Sequence, residues 1–131
     1  MTYNIISTGS KGNAVVINGR ILIDCGVPFK ALEPVKKDLR LVLLTHIHSD
    51  HFNPRTARAL SKERPALRWG CCEWMVGPLL EAGVDKRRVD VISPYNSDDA
   101  ALYKGLAVVR PEFIPHNVPN CAWHIFDGKE H

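Results

Sequence analysis

Leu41-Val42-Leu43-Leu44-Thr45-His46-Ile47-His48-Ser49-Asp50-His51 runs from an apolar stretch straight into a crowd of metal-ligand side chains. The segment Leu39 to Thr45 is short, mostly apolar and rich in strand formers, which predicts a buried strand capped by the histidines. Residues two apart on an extended chain point the same way, so His46 and His48 present their rings to one metal while Ile47 turns to the core. Asp50 and His51 lie beyond, where the chain turns, placed to hold a second ion a few ångströms away. Two such ions, ~3.5–4 Å apart, clamp a bridging hydroxide and stabilise the attacking and leaving oxygens of a hydrolysis. The spacing i, i+2, i+5 excludes the helical zinc-protease pattern, which needs histidines at i and i+4 on one helix face. Packing alone does not explain the cluster either: neutral rings add little to a core, and protonated ones repel.

Upstream, Ala14 to Asp24 is two β-rich runs split by Asn18-Gly19, a pair suited to the positive φ angles of a type I′ hairpin turn. Tyr3 to Ser7 reads as a short strand. The glycine-bearing loop Thr8 to Asn13 follows it, with consecutive amides from Gly9 to Gly12 that predict a weak anion nest. Ser10, Lys11 and Asn13 are its candidate substrate-binding side chains. Phe29, Leu32 and Val35 sit at helical spacing, cut to one or two turns by Pro34. Downstream, Asn53 and Pro54 are read as the N-cap and first position of a helix that stops before Pro65. A second helix is predicted over Glu73 to Ala82, ended by Gly83, with Gly77-Pro78 straining its middle. Strands are then predicted over Val89 to Ile92, Ala101 to Tyr103, Leu106 to Phe113 and Cys121 to Phe126, before an Asp127-Gly128 turn. The order is strands, loop, strand, helix, strand, helix, strands: an α/β layer in which a mixed sheet is covered by helices.

A chain of 131 residues that is 45% hydrophobic fits one domain with a real core. Its formal charge of +3 is mildly basic, and the clusters Lys36-Lys37 and Lys86-Arg87-Arg88 read as solvated faces rather than nucleic-acid footprints. Cys25, Cys71, Cys72 and Cys121 show neither C-x-x-C spacing nor a dense framework, arguing against a zinc ribbon and a disulfide scaffold. Cys71-Cys72 is read as buried packing, and Trp69, Trp74 and Trp123 as residues that fill or cover the core. No signal-peptide pattern opens the chain and no run approaches the ~18 apolar residues of a membrane span, so the sequence is placed in the cytoplasm, off the membrane.

Thr45 to His51 resembles the H-x-H-x-D-H signature of the metallo-β-lactamase-fold hydrolases. Ser7 to Gly26 is similar to that family's opening hairpin and the glycine-flanked aspartate after it, here Asp24. Pro115 to Ile125 resembles the next histidine motif in the branch of ribonuclease Z and related bacterial exonucleases and phosphodiesterases. The resemblance runs over nearly the whole chain. It implies the N-terminal αβ half of a four-layer αββα sandwich, two sheets flanked by helices. It implies that His46, His48 and His116 bind a first metal and that Asp50 and His51 bind a second. It further implies that Asp50 orients the attacking water and that Asp24 supports the metal loop from behind the ligands. His116 also has a setting of its own, between two predicted strands.

The family's site has two more ligands, a bridging aspartate and a final histidine, and here the sequence departs from the pattern. Only Asp127 follows His116 as an aspartate. His124 reads as a strand residue and His131 as a chain end. Three ligands and an open position suffice for one catalytic ion, whereas the second position has two protein ligands and is expected to be weak. The domain 1–131 therefore reads as truncated at its C-terminus: the first part of a longer hydrolase, or a chain completed by a second copy as a homodimer. The reading for activity is metal-dependent hydrolysis by a metal-bound hydroxide, of a phosphodiester or nucleic-acid substrate. The alternative is a metal- or partner-binding fragment without turnover. Histidine and carboxylate ligands fit zinc best, with manganese and iron as alternatives.

Overall fold

The Asn18-Gly19 pair forms the turn expected of it. Both residues take positive φ, 54° and 69°, and the Ile17 carbonyl accepts from the Arg20 N–H at 3.0 Å. The turn joins β2 (Ala14–Ile17) to β3 (Ile21–Ile23), and β1 (Tyr3–Ser7) pairs antiparallel with β2. The computed structural model describes residues 1–96 and 99–128; the tail histidine, His131, lies outside them. No helix among the described residues is long and apolar enough to cross a membrane.

After β3 the chain makes two short 3₁₀ turns, Phe29–Leu32 and Lys36–Asp38, since Pro34 between them prevents one continuous helix. Then come β4 (Leu41–Leu43), α1 (Pro54–Glu63), β5 (Arg68–Cys71), α2 (Val76–Ala82) and β6 (Val89–Val91). β3, β4, β5 and β6 are parallel neighbours, giving a mixed six-stranded sheet in sequence order. Asn53 caps α1 as expected, accepting from the Arg55 and Thr56 N–H groups at 3.0 and 3.3 Å. Gly83, with φ 98°, ends α2. The expected strain at Gly77-Pro78 is absent because α2 proper begins at Val76, after a 3₁₀ turn over Glu73–Met75. Pro78 thus falls in the first turn, where its missing N–H would have had no helical partner.

A second sheet, β7 (Ala101–Tyr103), β8 (Ala107–Ile114) and β9 (Asn120–Phe126), packs on the face of the first that the helices leave open. The apolar run of β4 explains this layering. Val42 and Leu44 join Leu60, Trp69 and Leu79 beneath the helices, while Leu41 and Leu43 join Val109, Trp123 and Ile125 between the sheets. A strand buried on both faces needs an unbroken apolar sequence. The result is a mixed α/β fold with a central sheet flanked by helices, an αββ arrangement.

The sheets are also joined by polar contacts. Arg68 on β5 makes a two-pronged ion pair with Asp90 on β6, at 2.8 and 2.6 Å, and the Tyr103 hydroxyl on β7 donates to the same carboxylate at 2.8 Å. Burial opposes ionisation of Asp90, and the bonds from Arg68 and Tyr103 more than offset it, holding its pKa below the usual carboxylate value. Of the two basic clusters, Lys37, Lys86 and Arg87 are exposed, as expected. Lys36 is buried and paired with Glu33 and Glu63 at 2.7 and 2.8 Å, so it corrects the reading of a solvated face, while Arg87 pairs with Asp85 at 2.9 Å. All four cysteines are free and buried. Burial pushes the Cys25 and Cys71 thiols up to about 12, which leaves them un-ionised and unreactive near neutrality.

Candidate metal centre

The last ladder bond on this side of β4 is from the Leu44 N–H to the Gly70 carbonyl, 3.0 Å, and the chain then runs irregularly over residues 44–48. One expectation is corrected here: Ile47 does not turn to the core but is 50% exposed. With the ladder ended, alternation no longer aims side chains at covered layers, and Ile47 instead edges a cleft of about 400 Å³ with Phe52, Pro54 and Pro78. His46, on the other side of the chain, is buried at 4% exposure.

Asp24 organises this loop from beneath. It is buried, holds a left-handed φ of 62°, and follows β3, so its carboxylate meets the end of the neighbouring β4. Its Oδ1 accepts from the Thr45 N–H at 2.9 Å; its Oδ2 accepts from the Thr45 hydroxyl at 2.8 Å and from His51 Nδ1 at 2.7 Å. These bonds fix two tautomers. The single Thr45 hydroxyl proton goes to Asp24, so the hydroxyl accepts from His46 Nδ1–H, 2.8 Å away. His46 and His51 therefore both carry their proton on Nδ1 and leave Nε2 as a lone-pair donor, the arrangement that partners behind ligating histidines impose. Burial, then the charge of His51, lowers the His46 pKa and favours the neutral ligand form. The hydrogen bond to Asp24 raises that of His51.

His116 comes from the other sheet, on the link between β8 and β9. Its ring centroid lies 5.1 Å from that of His46 and 5.0 Å from that of His48, and the latter two are 4.9 Å apart. One nitrogen from each of the three lies within 4.8 Å of the others. This near-equilateral triangle of imidazoles, one of them buried with its outward nitrogen unprotonated, fits a divalent ion with a preference for nitrogen. Asp50 and His51 stand beside it: His51 Nε2 is 3.8 Å from Asp50 Oδ2, and the His51 ring is 4.1 Å from that of His46.

The loop is closed by contacts that lie far apart in sequence. The Cys25 N–H donates to the His51 carbonyl and the Asn53 N–H to the Cys25 carbonyl, at 3.0 and 3.1 Å. Gly26 lies so close that a Cβ there would stand 2.1 Å from the Asp50 carbonyl oxygen. Asn13 Nδ2 donates to that oxygen at 2.9 Å and to the Gly9 carbonyl at 2.8 Å. Asn13 is thus a strut of the metal loop. The expected nest over Gly9 to Gly12 is partly used up as well, because the Gly9 N–H donates to Asn13 Oδ1 and the Gly12 N–H to the Gly9 carbonyl. Ser10 and Lys11 are exposed on its rim.

Three residues hold the site in ways the sequence reading did not assign to them. Thr45 is the relay just described. The Trp74 indole donates to the Thr45 carbonyl at 3.0 Å and the Trp123 indole to the Leu44 carbonyl at 3.1 Å, fastening the strand end from both sides. The general signal was there, since a buried indole N–H needs an acceptor, but nothing in the sequence says which. His124 lies 3.4 Å from Glu112 on the neighbouring strand, away from the triangle, as a strand residue should.

The sequence profile of the Metallo-beta-lactamase superfamily matches residues 7–100. No curated protein matches the sequence significantly. Among solved structures, the chain is similar to the metallo-beta-lactamase fold protein YhfI from Bacillus subtilis, at 16% identity and TM-score 0.69 over 97% of this chain and 58% of that one. It is similar to human tRNase Z, short form (ELAC1), at 17% identity and TM-score 0.68 over 97% of this chain and 64% of that one. A diphosphatase from the PhnP family aligns at 19% identity and TM-score 0.55, over 86% of this chain and 47% of that one. The chain thus spans 47–64% of the length of these structures. A buried strand ending in paired histidines, a carboxylate beneath them, a third histidine from a second sheet and a profile match over most of the sequence place the chain in the metallo-beta-lactamase superfamily.

Proposed function

We propose that the chain is the metal-binding part of a metal-dependent hydrolase that cleaves phosphodiesters, in the manner of the ribonuclease Z and PhnP branch of the superfamily. The observation that carries the reading is the triangle of His46, His48 and His116 at the open end of the sheets. The likeness to a tRNase Z and to a PhnP-family diphosphatase, both acting at phosphorus, supports the choice of substrate class. Zinc is the preferred ion for three imidazoles, with manganese as the alternative.

When bound, such an ion supplies Lewis acidity and lowers the pKa of water into the neutral range. The chain's own residues do the rest. His46 and His48 hold their rings toward His116 because Thr45 and Asp24 fix the loop, and His51 is held by the same carboxylate. Asp50, 31% exposed at its side chain and facing His51 Nε2, is positioned to orient a water and accept its proton. Asp50 and His51 give a second ion two ligands, which we read as a weak position in this chain alone, completed by a further segment or by a second copy. We read the chain as one domain and, from its four free thiols, as cytoplasmic.

Hydrolysis of bis(p-nitrophenyl) phosphate by zinc- or manganese-loaded protein tests the proposal. Turnover that disappears in His48→Ala supports it. A fully metal-loaded protein without turnover overturns the hydrolase reading for this chain and leaves a metal-binding module.

A further inference from the structure

The carboxyl ends of β3, β4, β5 and β6 all open on the side where the metal triangle sits, the usual position for a ligand on a parallel sheet. Asp24 and the histidine loop follow β3 and β4. The segments after β5 and β6 bring Trp74 and Tyr95 to the same rim, and β8 brings Phe113. Phe113 shares the sheet face of Ala107 and Val109, which are buried between the sheets, but it overhangs the end of the sandwich and is 41% exposed. Tyr95 is 69% exposed. The Tyr95 and Phe113 rings lie 5.7 Å apart with planes only 35° from parallel, and Trp74 meets Phe113 edge-on at 6.2 Å and 78°. Large aromatic rings gain most from burial, so two of them left in water at one rim form a surface with something to cover.

This cluster is tied to the candidate metal ligands at two points. The Trp74 indole is bonded to the carbonyl of Thr45, the residue before His46, and Phe113 lies three residues before His116. The aromatic cluster is therefore anchored to the same two chain segments that carry His46 and His116. From this geometry we propose that Tyr95 and Phe113, braced by Trp74, form a stacking subsite for an unpaired nucleobase next to the scissile phosphate, so that the substrate is a single-stranded or flexible end of a nucleic acid. The inference rests on the phosphodiester reading above and names the part of the substrate beside the reacting phosphate. Bases stack on aromatic side chains only when they are unpaired, and such stacking tolerates any base because every base has a π-face.

Equilibrium binding separates this proposal from the hydrolase reading. Fluorescence anisotropy with the full chain in EDTA, where hydrolysis is suppressed, compares a labelled single-stranded oligonucleotide with an abasic strand of the same length and charge. The base-bearing strand is expected to bind ~10-fold more tightly, within the range of one or two stacked bases. Tyr95→Ala is expected to remove most of that preference and Tyr95→Phe to keep it. An unchanged thermal midpoint in Tyr95→Ala verifies that the fold is intact, and Phe113→Leu provides the second variant. Equal affinity for the two strands, or a preference untouched by both Tyr95→Ala and Phe113→Leu, overturns the subsite and points to a protein partner for this patch. A base preference that persists in a protein unable to cleave bis(p-nitrophenyl) phosphate overturns the hydrolase reading alone.

Discussion

His46 and His116 face one point in space, 5.1 Å between ring centroids, yet the chain holds them in opposite ways. His46 is buried at the end of a strand covered on both faces, and its Nδ1 is bonded to Thr45, which is bonded to Asp24. Two indoles and a close glycine–carbonyl packing lock the same loop. His116 stands exposed on the link between β8 and β9, and its ring meets only the other two histidines in the described contacts. The first side of the centre is part of the fold's stability, whereas the second is an approach made by a separate sheet. One side is locked by hydrogen bonds and packing, and the other stands exposed.

Substitutions that distinguish the two sides should differ by kilocalories. Gly26→Ala forces a Cβ to within 2.1 Å of the Asp50 carbonyl and is expected to cost about 3 kcal/mol or more, the upper range for overpacking. Urea unfolding with the wild type as reference checks it, and metal affinity should fall in the same variant. Asp24→Ala leaves the Thr45 N–H and hydroxyl and His51 Nδ1 without their acceptor, for an expected loss of about 2–3 kcal/mol. Because two ligand tautomers are released, metal affinity should also drop ~10- to 100-fold, as read by competition with a chromophoric chelator.

The junction of the sheets gives a smaller effect. Tyr103→Phe removes one bond to Asp90 and is expected to cost about 1 kcal/mol. Asp90 has a lowered pKa when folded. Its contribution is therefore complete above the unfolded carboxylate value, ~3.9, and is lost as pH falls through the lower folded value. Stability measured against pH should show an acid-side decline that is shallower in Asp90→Asn. The smallest effect belongs to the exposed side of the comparison: His116→Ala should change stability by no more than ~0.5 kcal/mol, as for other surface sites, while weakening metal binding severely. A large loss of stability in His116→Ala would mean that the two sides are not held differently after all.

What could be read from the sequence divides along the same line. The hairpin at Asn18-Gly19, the cap at Asn53-Pro54 and the buried strand are local: each depends on turn chemistry, an orphan amide or an apolar run, and each is present, although the strand expected over Leu39 to Thr45 is confined to Leu41–Leu43. The grouping of His46 and His48 with His116 was legible through the family resemblance, and the structure brings the three together. Ile47 was misread because strand alternation was carried four residues past the end of β4. At the expected nest of Gly9 to Gly12, the Gly9 and Gly12 amides bond within the loop, a use that the glycine spacing alone did not reveal. The roles of Trp74, Trp123 and Asn13 could not be read at all, since their partners lie 29, 79 and 37 residues away and become neighbours only once both sheets are assembled.

The central claim is that three histidines from two sheets make one metal site, and calorimetric titration of metal-stripped protein with zinc tests it most directly. The account predicts about one tightly bound ion per chain, abolished by His48→Ala and strongly weakened by His116→Ala, with both variants folded. Zinc bound with unchanged affinity in both variants, or no binding to the folded wild-type chain, would contradict it.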